Sequence, residues 1–275
     1  MHVTQNYLDK LEKLKEKVTE KEKILVAFSG GVDSGLLLKI AYDALGEDVF
    51  VVTLDAEVMP RSELNCAEEL VRDLGCGYVV VKFLILDDKT FVKNSRERCY
   101  YCKKESAKIF KKIASDKGIK CIADGVNISD FDEHRPGIRA CDEAGIWHPF
   151  VEVGITKADI RGIAKEIGLE FWDKPSSACL ATRIPCGDEI TKKTLASVEM
   201  GEEALKNKGF KQVRVRVHGE IARIEVMEEE IERAFGLRDE IIKELKEIGF
   251  KYITLDLEGY RSGSMDDTHE RKNKS

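Results

Sequence analysis

The hydrophobic positions of the chain follow two alternating patterns. Helical spacing relates Leu8, Leu11, Leu14 and Val18, which predicts an amphipathic helix at the N-terminus. Short continuous apolar runs follow and predict buried strands: "KILVAFS", "VFVVTLDA", "GYVVVKFLI" and "IKCIADGVN". Between and after them lie stretches with helical periodicity: "GLLLKIAYDALG", "SELNCAEELVRDLGC", "KKESAKIFKKIASDKG" and "TKADIRGIAKEIGL". Buried strands that alternate with helices predict an α/β fold, a parallel sheet covered by helices on both faces. Ligands of such sheets bind at the carboxyl ends of the strands.

The pattern changes in the loop-rich segment "KPSSACLATRIPCGDEITKKT". The elements predicted after it are a helix over Leu195–Lys208, the strands "QVRVRVH" and "IARIEV" joined by a short turn at His218–Glu220, a helix over Glu228–Ile248, and the strand "KYITLDLEG". We interpret this as two domains. A sheet domain covers residues 1–175, an active-site loop or linker covers 176–193, and a small α+β domain covers 194–265. The polar residues 266–275 are predicted to be a disordered tail.

The composition favours a soluble protein and disfavours a nucleic-acid-binding one. The chain has 275 residues, of which 43% are hydrophobic and 35% charged, as in ordinary soluble proteins. A net charge of -6 disfavours a nucleic-acid partner. No signal peptide or membrane-length apolar run is evident, so we predict a cytoplasmic protein without a membrane partner. In that compartment clustered cysteines favour metal or sulfur chemistry. Isolated cysteines favour packing, which is the prediction for Cys66, Cys76, Cys121 and Cys141.

The junction between the first strand and the first helix of the sheet is polar. It reads Ser29-Gly30-Gly31-Val32-Asp33-Ser34 between two apolar segments. The unpaired N–H groups and the dipole of a helix N-terminus favour an anion. Gly30 and Gly31 let the backbone approach a phosphate, and Ser29 and Ser34 add hydroxyl donors. Asp33 would repel the phosphate unless a cation intervened, which predicts Mg²⁺.

This junction resembles the SGGxDS motif of the PP-loop ATP pyrophosphatases. It lacks the lysine of a P-loop and the glycine spacing of a dinucleotide fingerprint. The resemblance implies an enzyme that splits ATP into AMP and pyrophosphate while it activates a carbonyl or carboxylate group as an adenylate. It also implies the adenine nucleotide alpha hydrolase-like sheet.

A second group of residues carries thiols. Cys99 and Cys102 form a C-x-x-C pair just before a predicted helix, and the pair fits a redox dithiol, half of a zinc site or chance. Cys179 lies in the loop after the sheet domain and can reach the same crevice. Three thiolates would leave one iron of a [4Fe–4S] cluster without a protein ligand, free to hold sulfide. If Cys186 were a fourth ligand, every iron of the cluster would have a protein ligand and none would be free to hold sulfide.

Segments along nearly the whole chain resemble the LarE family of ATP-dependent sulfur-inserting synthases, which act in the biosynthesis of the nickel-pincer nucleotide. They are "AFSGGVDS", "RCYYCKK", "DGVN", "HRPGIRA", "KPSSACLATRIPCG", "RVRVHGEIARIEV" and "LDLEGYRSGSM". The resemblance implies that a carboxylate of a pyridinium dicarboxylate mononucleotide is adenylated and then converted to a thiocarboxylate. It also implies a homo-oligomer, for which a hexamer is one form. The sulfide donor and the exact carboxylate are not evident from the residues.

The sulfur source divides this family. One branch resembles a sacrificial enzyme, in which a cysteine at the place of Ala178 gives up its own sulfur and no C-x-x-C pair is present. Cys99, Cys102 and Cys179 match the other, cluster-bearing branch. Cys186 stands where the family has Tyr in "PYG", and this departure leaves its role open.

Further residues complete the predicted site. The resemblance makes Lys103 and Glu202 ligands of the substrate phosphate, although Glu202 alone would be interpreted as a surface carboxylate. Arg214 and Arg216 alternate on a strand and leave the same face, as a phosphate clamp requires; the alternative is a solvated sheet edge. The last two predicted site residues are Asp124, at the carboxyl end of a strand, for nucleotide or metal, and Arg183, for developing phosphate charge. Structural or surface roles are predicted for His134, His148 and His218.

Other functions fit parts of the sequence. A tRNA-thiolating PP-loop enzyme would carry the same three cysteines but needs a basic RNA-binding surface. An amide-forming enzyme of the NAD-synthetase type would leave the cysteines unexplained. A nucleotide- or cluster-binding sensor without turnover would show no pyrophosphate exchange on addition of a carboxylate.

Overall fold

The computed structural model describes residues 2–132, 135–175, 178–261 and 263–265. The chain divides into two compact units. The first consists of Met1–Ile85 and Glu97–Ser177, and the second of Leu86–Arg96 and Ala178–Ser275. The predicted disordered tail over 266–275 and the predicted role of His134 lie outside the described residues. Among the described residues, no helix has the length and apolar character needed to cross a bilayer.

Most elements follow the predicted order. The strands are β1 (Ile24–Ala27), β2 (Val49–Ala56), β3 (Gly77–Phe83), β4 (Cys121–Ala123), β5 (Val213–His218), β6 (Ile221–Val226) and β7 (Tyr252–Leu255). The helices are α1 (His2–Thr19), α2 (Val32–Leu45), α3 (Arg61–Leu74), α4 (Lys89–Val92), α5 (Arg98–Asp116), α6 (Pro136–Glu143), α7 (Pro149–Glu152), α8 (Lys157–Glu166), α9 (Lys192–Asn207), α10 (Ile231–Gly236) and α11 (Arg238–Ile248).

The sheet of the first unit is parallel, in the order β3-β2-β1-β4. Successive residues of β1 face opposite sides, so Ile24 and Val26 enter one hydrophobic core and Leu25 enters the other. The prediction of a parallel sheet covered on both faces is therefore confirmed. Because β1 is an inner strand, the loop that leaves its carboxyl end lies between the ends of β2 and β4, where a ligand site of this fold belongs.

The second unit contains a three-stranded sheet in the order β5-β6-β7. β5 and β6 are antiparallel and are joined at Gly219 and Glu220, as predicted, whereas β6 and β7 are parallel. Helix α9 packs closely on this sheet because Gly201 has no side chain: a Cβ there would lie 3.4 Å from Val215 and 3.1 Å from Leu245.

Two predictions about helices are wrong. The helix predicted over Glu228–Ile248 is a 3₁₀ turn at Glu228–Glu230 followed by α10 and α11, which meet at Leu237. Gly236, a weak helix former, precedes this break. Helix α5 begins at Arg98, so the C-x-x-C pair lies inside the helix rather than before it. The segment Arg98–Lys103 contains no Gly or Pro, and helical hydrogen bonding extends through it.

Candidate functional site

The loop after β1 forms a compact cradle at the N-terminus of α2. The Ser34 hydroxyl accepts from the Ser29 N–H at 3.2 Å, lies 3.0 Å from the Ser29 hydroxyl, and donates to the Gly31 carbonyl at 3.3 Å. Gly31 is the N-cap of α2, and no side chain caps that end of the helix. The loop therefore presents the first N–H groups of a helix, which is the arrangement that binds anions.

Two glycines permit the close approaches that shape this cradle. Gly30 has a φ of +76°, and a Cβ on it would lie 2.7 Å from the Glu63 carbonyl oxygen. Gly125, which follows β4 and Asp124, would place a Cβ 2.7 Å from the Ser34 nitrogen. Only glycine fits either position, so the loop after β4 lies directly on the first turn of α2.

Asp33 is paired with a lysine that the sequence analysis did not single out. Lys157 Nζ lies 2.5 and 2.6 Å from the two Asp33 carboxylate oxygens. Burial raises the pKa of Asp33, and the charge of Lys157 opposes that rise. Lys157 lies in the first turn of α8, which begins with a capping box between Thr156 and Asp159. The T-x-x-D pattern of the capping box could have indicated Lys157 from the sequence, because it places this lysine at a helix N-terminus.

A second lysine contacts the other side of the cradle and was also missed. Lys174 Nζ donates to the Gly30 carbonyl at 3.0 Å and pairs with Glu63 at 2.8 Å. The Lys174 carbonyl in turn accepts from Arg161 at 2.8 Å. Two lysines thus bring positive charge to a loop that lacks the lysine of a P-loop.

Asp124 ends β4 beside the cradle and is held by a histidine. Its Oδ1 accepts from the Val126 N–H at 3.1 Å and lies 2.6 Å from His148 Nδ1. Its Oδ2 is buried and has no hydrogen-bond partner among the described residues. His148 Nε2 faces Asp142 at 3.3 Å. The sequence predicted only a structural or surface role for His148. The structure shows that it also contacts Asp124, the carboxylate predicted to bind nucleotide or metal.

This histidine predicts a specific dependence of stability on pH. Burial opposes protonation of His148, but the hydrogen bond and charge of Asp124 outweigh it and raise its pKa. A raised folded-state pKa contributes stability that is present below the unfolded value and is lost as pH rises through the folded value. We expect the stability advantage of the wild-type over His148→Gln to shrink from about pH 5 to about pH 8, measured by urea unfolding.

His218 supplies the matched control for that measurement. Burial, followed by the charge of Arg223, lowers the pKa of His218. A lowered pKa contributes stability at high pH that is lost as pH falls below the unfolded value, so His218→Gln should show the opposite trend. Slopes of the same sign for the two variants would contradict at least one of the two assignments.

The C-x-x-C pair occupies the start of α5. Cys99 is exposed and Cys102 partly exposed, and a spacing of three residues places them on one helix face. Helix α6 approaches α5 at Gly137, where a Cβ would lie 3.0 Å from the Lys103 stem. The charge of Lys103 interacts with Asp124 and Cys141. Cys99, Cys102 and Lys103 therefore belong to the same unit as the cradle and Asp124.

The four cysteines predicted to pack divide into two groups. Cys141 lies in one hydrophobic core, and Cys76 and Cys121 pack against the other, which confirms the prediction for these three. Burial raises the pKa of the Cys141 thiol to about 11, although nearby Lys103 opposes the rise. Cys141 is therefore a protonated thiol at neutral pH and is not a ready metal ligand, since metals bind the thiolate. Cys66 is partly exposed.

Cys179 precedes a 3₁₀ turn, Leu180–Arg183, in the second unit. The predicted role of Arg183 was to stabilise phosphate charge, but its guanidinium is buried and engaged. Nε and Nη2 bind the two Glu202 carboxylate oxygens at 2.7 and 3.0 Å, and Nη1 donates to the Ala178 carbonyl at 2.7 Å. Interpretation of Glu202 as a surface carboxylate is wrong, because only 3% of it is exposed.

Arg214 and Arg216 leave the same face of β5, and both are buried, so the alternative of a solvated sheet edge is wrong. Arg216 binds Glu225 through Nε and Nη2 at 3.0 and 2.8 Å. Arg214 stacks its guanidinium 5.3 Å from the Tyr260 ring centroid. Burial, followed by the charge of Arg183, lowers the pKa of Arg214, as expected where positive groups are concentrated.

The predicted site residues thus fall into two groups. The first unit contains the cradle, Asp124, Cys99, Cys102 and Lys103, and the second contains Cys179, Arg183, Glu202, Arg214 and Arg216. Within the described part of the chain, no three His, Cys, Asp or Glu side chains converge to hold a metal ion.

A parallel sheet whose inner strand leads into a Ser-Gly-Gly cradle at a helix N-terminus defines the PP-loop class of ATP-dependent enzymes. Residues 4–108 match the NAD synthase family. Over 248 residues, 90% of each chain, the protein is 38% identical to pyridinium-3,5-bisthiocarboxylic acid mononucleotide synthase of Lactiplantibacillus plantarum. The chain therefore belongs to the LarE family, as its motifs predicted, and is an ATP-dependent enzyme.

Two uncharacterized relatives extend over the same length. The protein slr1717 of Synechocystis sp. is 37% identical over 261 residues, which cover 93% of this chain and 96% of the relative. The protein MJ0830 of Methanocaldococcus jannaschii is 36% identical over 259 residues, 93% of this chain and 99% of the relative. Both units are therefore shared across these proteins.

Proposed function

We propose that this protein is an ATP-dependent sulfurtransferase. It adenylates a carboxylate of a pyridinium dicarboxylate mononucleotide and converts it to a thiocarboxylate. The observation that carries the proposal is the 38% identity, over 90% of both chains, to a synthase whose product is a bisthiocarboxylic acid mononucleotide. A cradle for pyrophosphate in the first unit and a cluster of buried arginines in the second support it.

The cradle performs the ATP chemistry. The N–H groups of α2 and the hydroxyls of Ser29 and Ser34 hold the β- and γ-phosphates, and Lys157 and Lys174 supply positive charge. Asp33, a carboxylate beside the phosphates, would hold Mg²⁺ on giving up its ion pair with Lys157, and Asp124 binds the nucleotide. The substrate carboxylate oxygen attacks the α-phosphorus, the bond to the bridging oxygen breaks, and pyrophosphate leaves with that electron pair. The acyl adenylate that forms is a far better electrophile than a carboxylate.

The substrate phosphate is assigned to Lys103, Glu202, Arg214 and Arg216. Arg214 is the strongest candidate for direct contact, because it is buried near the charges of Arg183 and Arg216 and its guanidinium stacks on Tyr260. Arg216 directs four of its N–H groups to protein acceptors, at Glu225, Ser264 and Thr182, and its second Nη1–H has no acceptor among the described residues and is proposed to bind the ligand. A phosphate monoester dianion suits a site with this charge.

The thiols fit a [4Fe–4S] cluster in their chemistry. Cys99 is exposed, Cys102 and Cys179 are partly exposed, and the first two share a helix face. These three residues would hold the cluster, and its fourth iron, without a protein ligand, would supply sulfide when the cluster is bound. Arg183 donates to the Cys179 carbonyl at 3.0 Å. Water must be kept from the adenylate until sulfide attacks the carbonyl carbon and AMP leaves.

Three broader assignments accompany this function. We propose that the protein works in the cytoplasm and as a homo-oligomer, without a nucleic-acid or membrane partner. The small α+β part over residues 194–265 serves substrate binding and oligomerisation.

The experiment that tests this function measures pyrophosphate. The purified protein is mixed with ATP, Mg²⁺ and pyridinium-3,5-dicarboxylic acid mononucleotide, with a sulfide source added second. We expect pyrophosphate release that depends on the mononucleotide, followed by replacement of one oxygen by sulfur in its mass spectrum. Ammonia in place of sulfide distinguishes an amide-forming enzyme. Absence of mononucleotide-dependent pyrophosphate release would contradict the proposal.

Iron and acid-labile sulfide content, measured on protein purified without oxygen, tests the cluster separately. Loss of iron in Cys99→Ala and Cys102→Ala, with retention in Cys186→Ala, is the expected result. Iron-free protein that resists reconstitution would leave Cys179 as a sacrificial donor, to be tested by loss of H₂S from the protein mass after one turnover.

A further inference from the structure

The backbone carbonyls of Ala178 and Cys179 accept hydrogen bonds from several donors. The Cys179 carbonyl accepts from the Thr182 N–H at 2.9 Å, the Thr182 hydroxyl at 2.8 Å and Arg183 Nη1 at 3.0 Å. The preceding carbonyl, that of Ala178, accepts from the same Arg183 nitrogen at 2.7 Å. Cys179 as a residue is partly exposed, so the turn fixes its backbone without burying the residue completely.

A second arginine holds the far end of the same turn. Arg216 Nη1, from β5, donates to the Thr182 carbonyl at 3.1 Å. Two guanidinium groups, one inside the turn and one on the sheet, therefore bind three carbonyls within five residues. A turn held from two elements cannot rotate as a unit without breaking charge-assisted hydrogen bonds.

Each arginine is fixed by its own buried glutamate. Glu202 on α9 binds Arg183 through both carboxylate oxygens, and it also accepts from the Val215 N–H at 3.2 Å. Glu225 on β6, which is fully buried, binds Arg216 through Oε2. Ser264 completes the second pair: it donates to Glu225 Oε1 at 2.7 Å and accepts from Arg216 at 3.2 Å.

Buried ion pairs are a poor route to stability. Removing two charges from water costs several kcal/mol per ion, and apolar residues of similar volume are often as stable or more so. Two such pairs around one turn therefore call for a role besides stability, and the phosphate assigned to Glu202 and Arg216 gives none to Arg183 or Glu225. Both pairs contain an arginine that donates to the backbone of Cys179 or of a residue close to it in the turn.

We propose that the pairs Arg183–Glu202 and Arg216–Glu225, the second completed by Ser264, position the Cys179 thiol. These are positioning residues that act through the 178–182 backbone. The proposal rests on the function proposed above only for the chemical role of Cys179, since the geometry of the turn is independent of that chemistry. It also assigns the C-terminal segment around Ser264 a part in the site.

A double variant separates positioning from stability. Arg183→Met with Glu202→Leu replaces the pair by apolar residues and removes the donors to the turn. We expect the variant to fold with a modest loss of unfolding free energy, because neither buried charge is left unpaired, whereas the Val215 N–H and the turn carbonyls each lose a partner. Alkylation of Cys179 by iodoacetamide, in the full-length protein before cluster loading, should become about tenfold faster as the turn opens locally. Cys99 in the same sample is the internal control and should be unchanged.

Turnover gives the second readout. Thiocarboxylate formation by Thr182→Val, which keeps every residue assigned to the substrate phosphate, should fall, by up to about 100-fold for a thiol displaced by about 1 Å, while mononucleotide-dependent pyrophosphate release falls much less. If the wild-type forms no thiocarboxylate at all, the function proposed above fails, and the alkylation measurement still decides the positioning role.

Milder variants keep the test decisive if the double variant does not fold. Ser264→Ala and Thr182→Val each remove one hydroxyl from the network and should accelerate Cys179 alkylation by a smaller factor. Glu244→Gln is the matched control, because Glu244 pairs with Lys208 at the surface of the same unit. Cys179 alkylation and thiocarboxylate formation that match the wild-type in folded variants of this set would overturn the proposal.

Discussion

A Cys179→Ala variant should release pyrophosphate when ATP and the mononucleotide are present and yet form no thiocarboxylate. The cradle, Lys157 and Asp124 all lie in the first unit, whereas Cys179 lies in the second, so the substitution leaves the adenylation groups intact. The thiol is the proposed third cluster ligand, and a cluster held by two cysteines is incomplete. The measurement compares both products in one reaction, with pyrophosphate assayed enzymatically and the thiocarboxylate by mass spectrometry.

Cys186→Ala is the matched control for this result. Cys186 lies seven residues further along the same loop and is also partly exposed, but it departs from the family pattern. We expect it to retain thiocarboxylate formation. Equal loss in both variants would point to a closed four-cysteine site, and thiocarboxylate made by Cys179→Ala would remove Cys179 from the sulfur chemistry.

Gly30→Ala should abolish pyrophosphate release and lower stability. The residue adopts a left-handed backbone, which costs a side chain about 1–3 kcal/mol. Its new methyl group would also lie 2.7 Å from the Glu63 carbonyl oxygen, which cannot move aside without shifting α3. The cradle would open, and phosphates held even about 1 Å from their place react on the order of 100-fold more slowly. Urea unfolding and pyrophosphate release measure the two effects.

Gly168→Ala isolates the backbone strain from the clash. Gly168 has a φ of +75°, nearly that of Gly30, but in the described part of the chain no atom beyond its two sequence neighbours lies within 4 Å of the added Cβ. We expect it to lose about 1–2 kcal/mol of stability, the cost of left-handed backbone alone, and to keep normal activity. If both variants lost activity equally, the contact with Glu63 would have no special role in the cradle.

The sequence was sufficient for features that short segments determine. The strand-loop-helix around Ser29–Ser34 was predicted because its apolar runs and glycines lie within one stretch of chain. The alternating faces of β5 likewise followed from a period of two. Helix limits were less certain, since no Gly or Pro separates Cys102 from the residues before it, and α5 began earlier than predicted.

Contacts between distant residues were not predictable in the same way. Lys157 and Asp33 are separated by 124 positions, and Lys174 and Gly30 by 144. A lysine in a predicted amphipathic helix is most often a solvated surface group, and only the packing of α8 beside the cradle distinguishes Lys157. Glu202 shows the same limit, since its burial depends on how α9 meets β5.

The division of the chain into units bears on how the protein is synthesised. The segment Leu86–Arg96 belongs with residues made much later: the Asn94 amide donates to the carbonyls of Ile184 and Pro185, 90 and 91 positions downstream. Phe91 and Asn94 are both almost fully buried in the folded protein. During synthesis both side chains stay exposed to water until the rest of the first unit and the start of the second have been made. A truncated chain that ends near residue 177 would therefore expose the Phe91 ring and the Asn94 amide. Neither unit can be obtained by a single cut, and a fragment intended as the ATP-binding half would need a redesigned connection between Ile85 and Glu97.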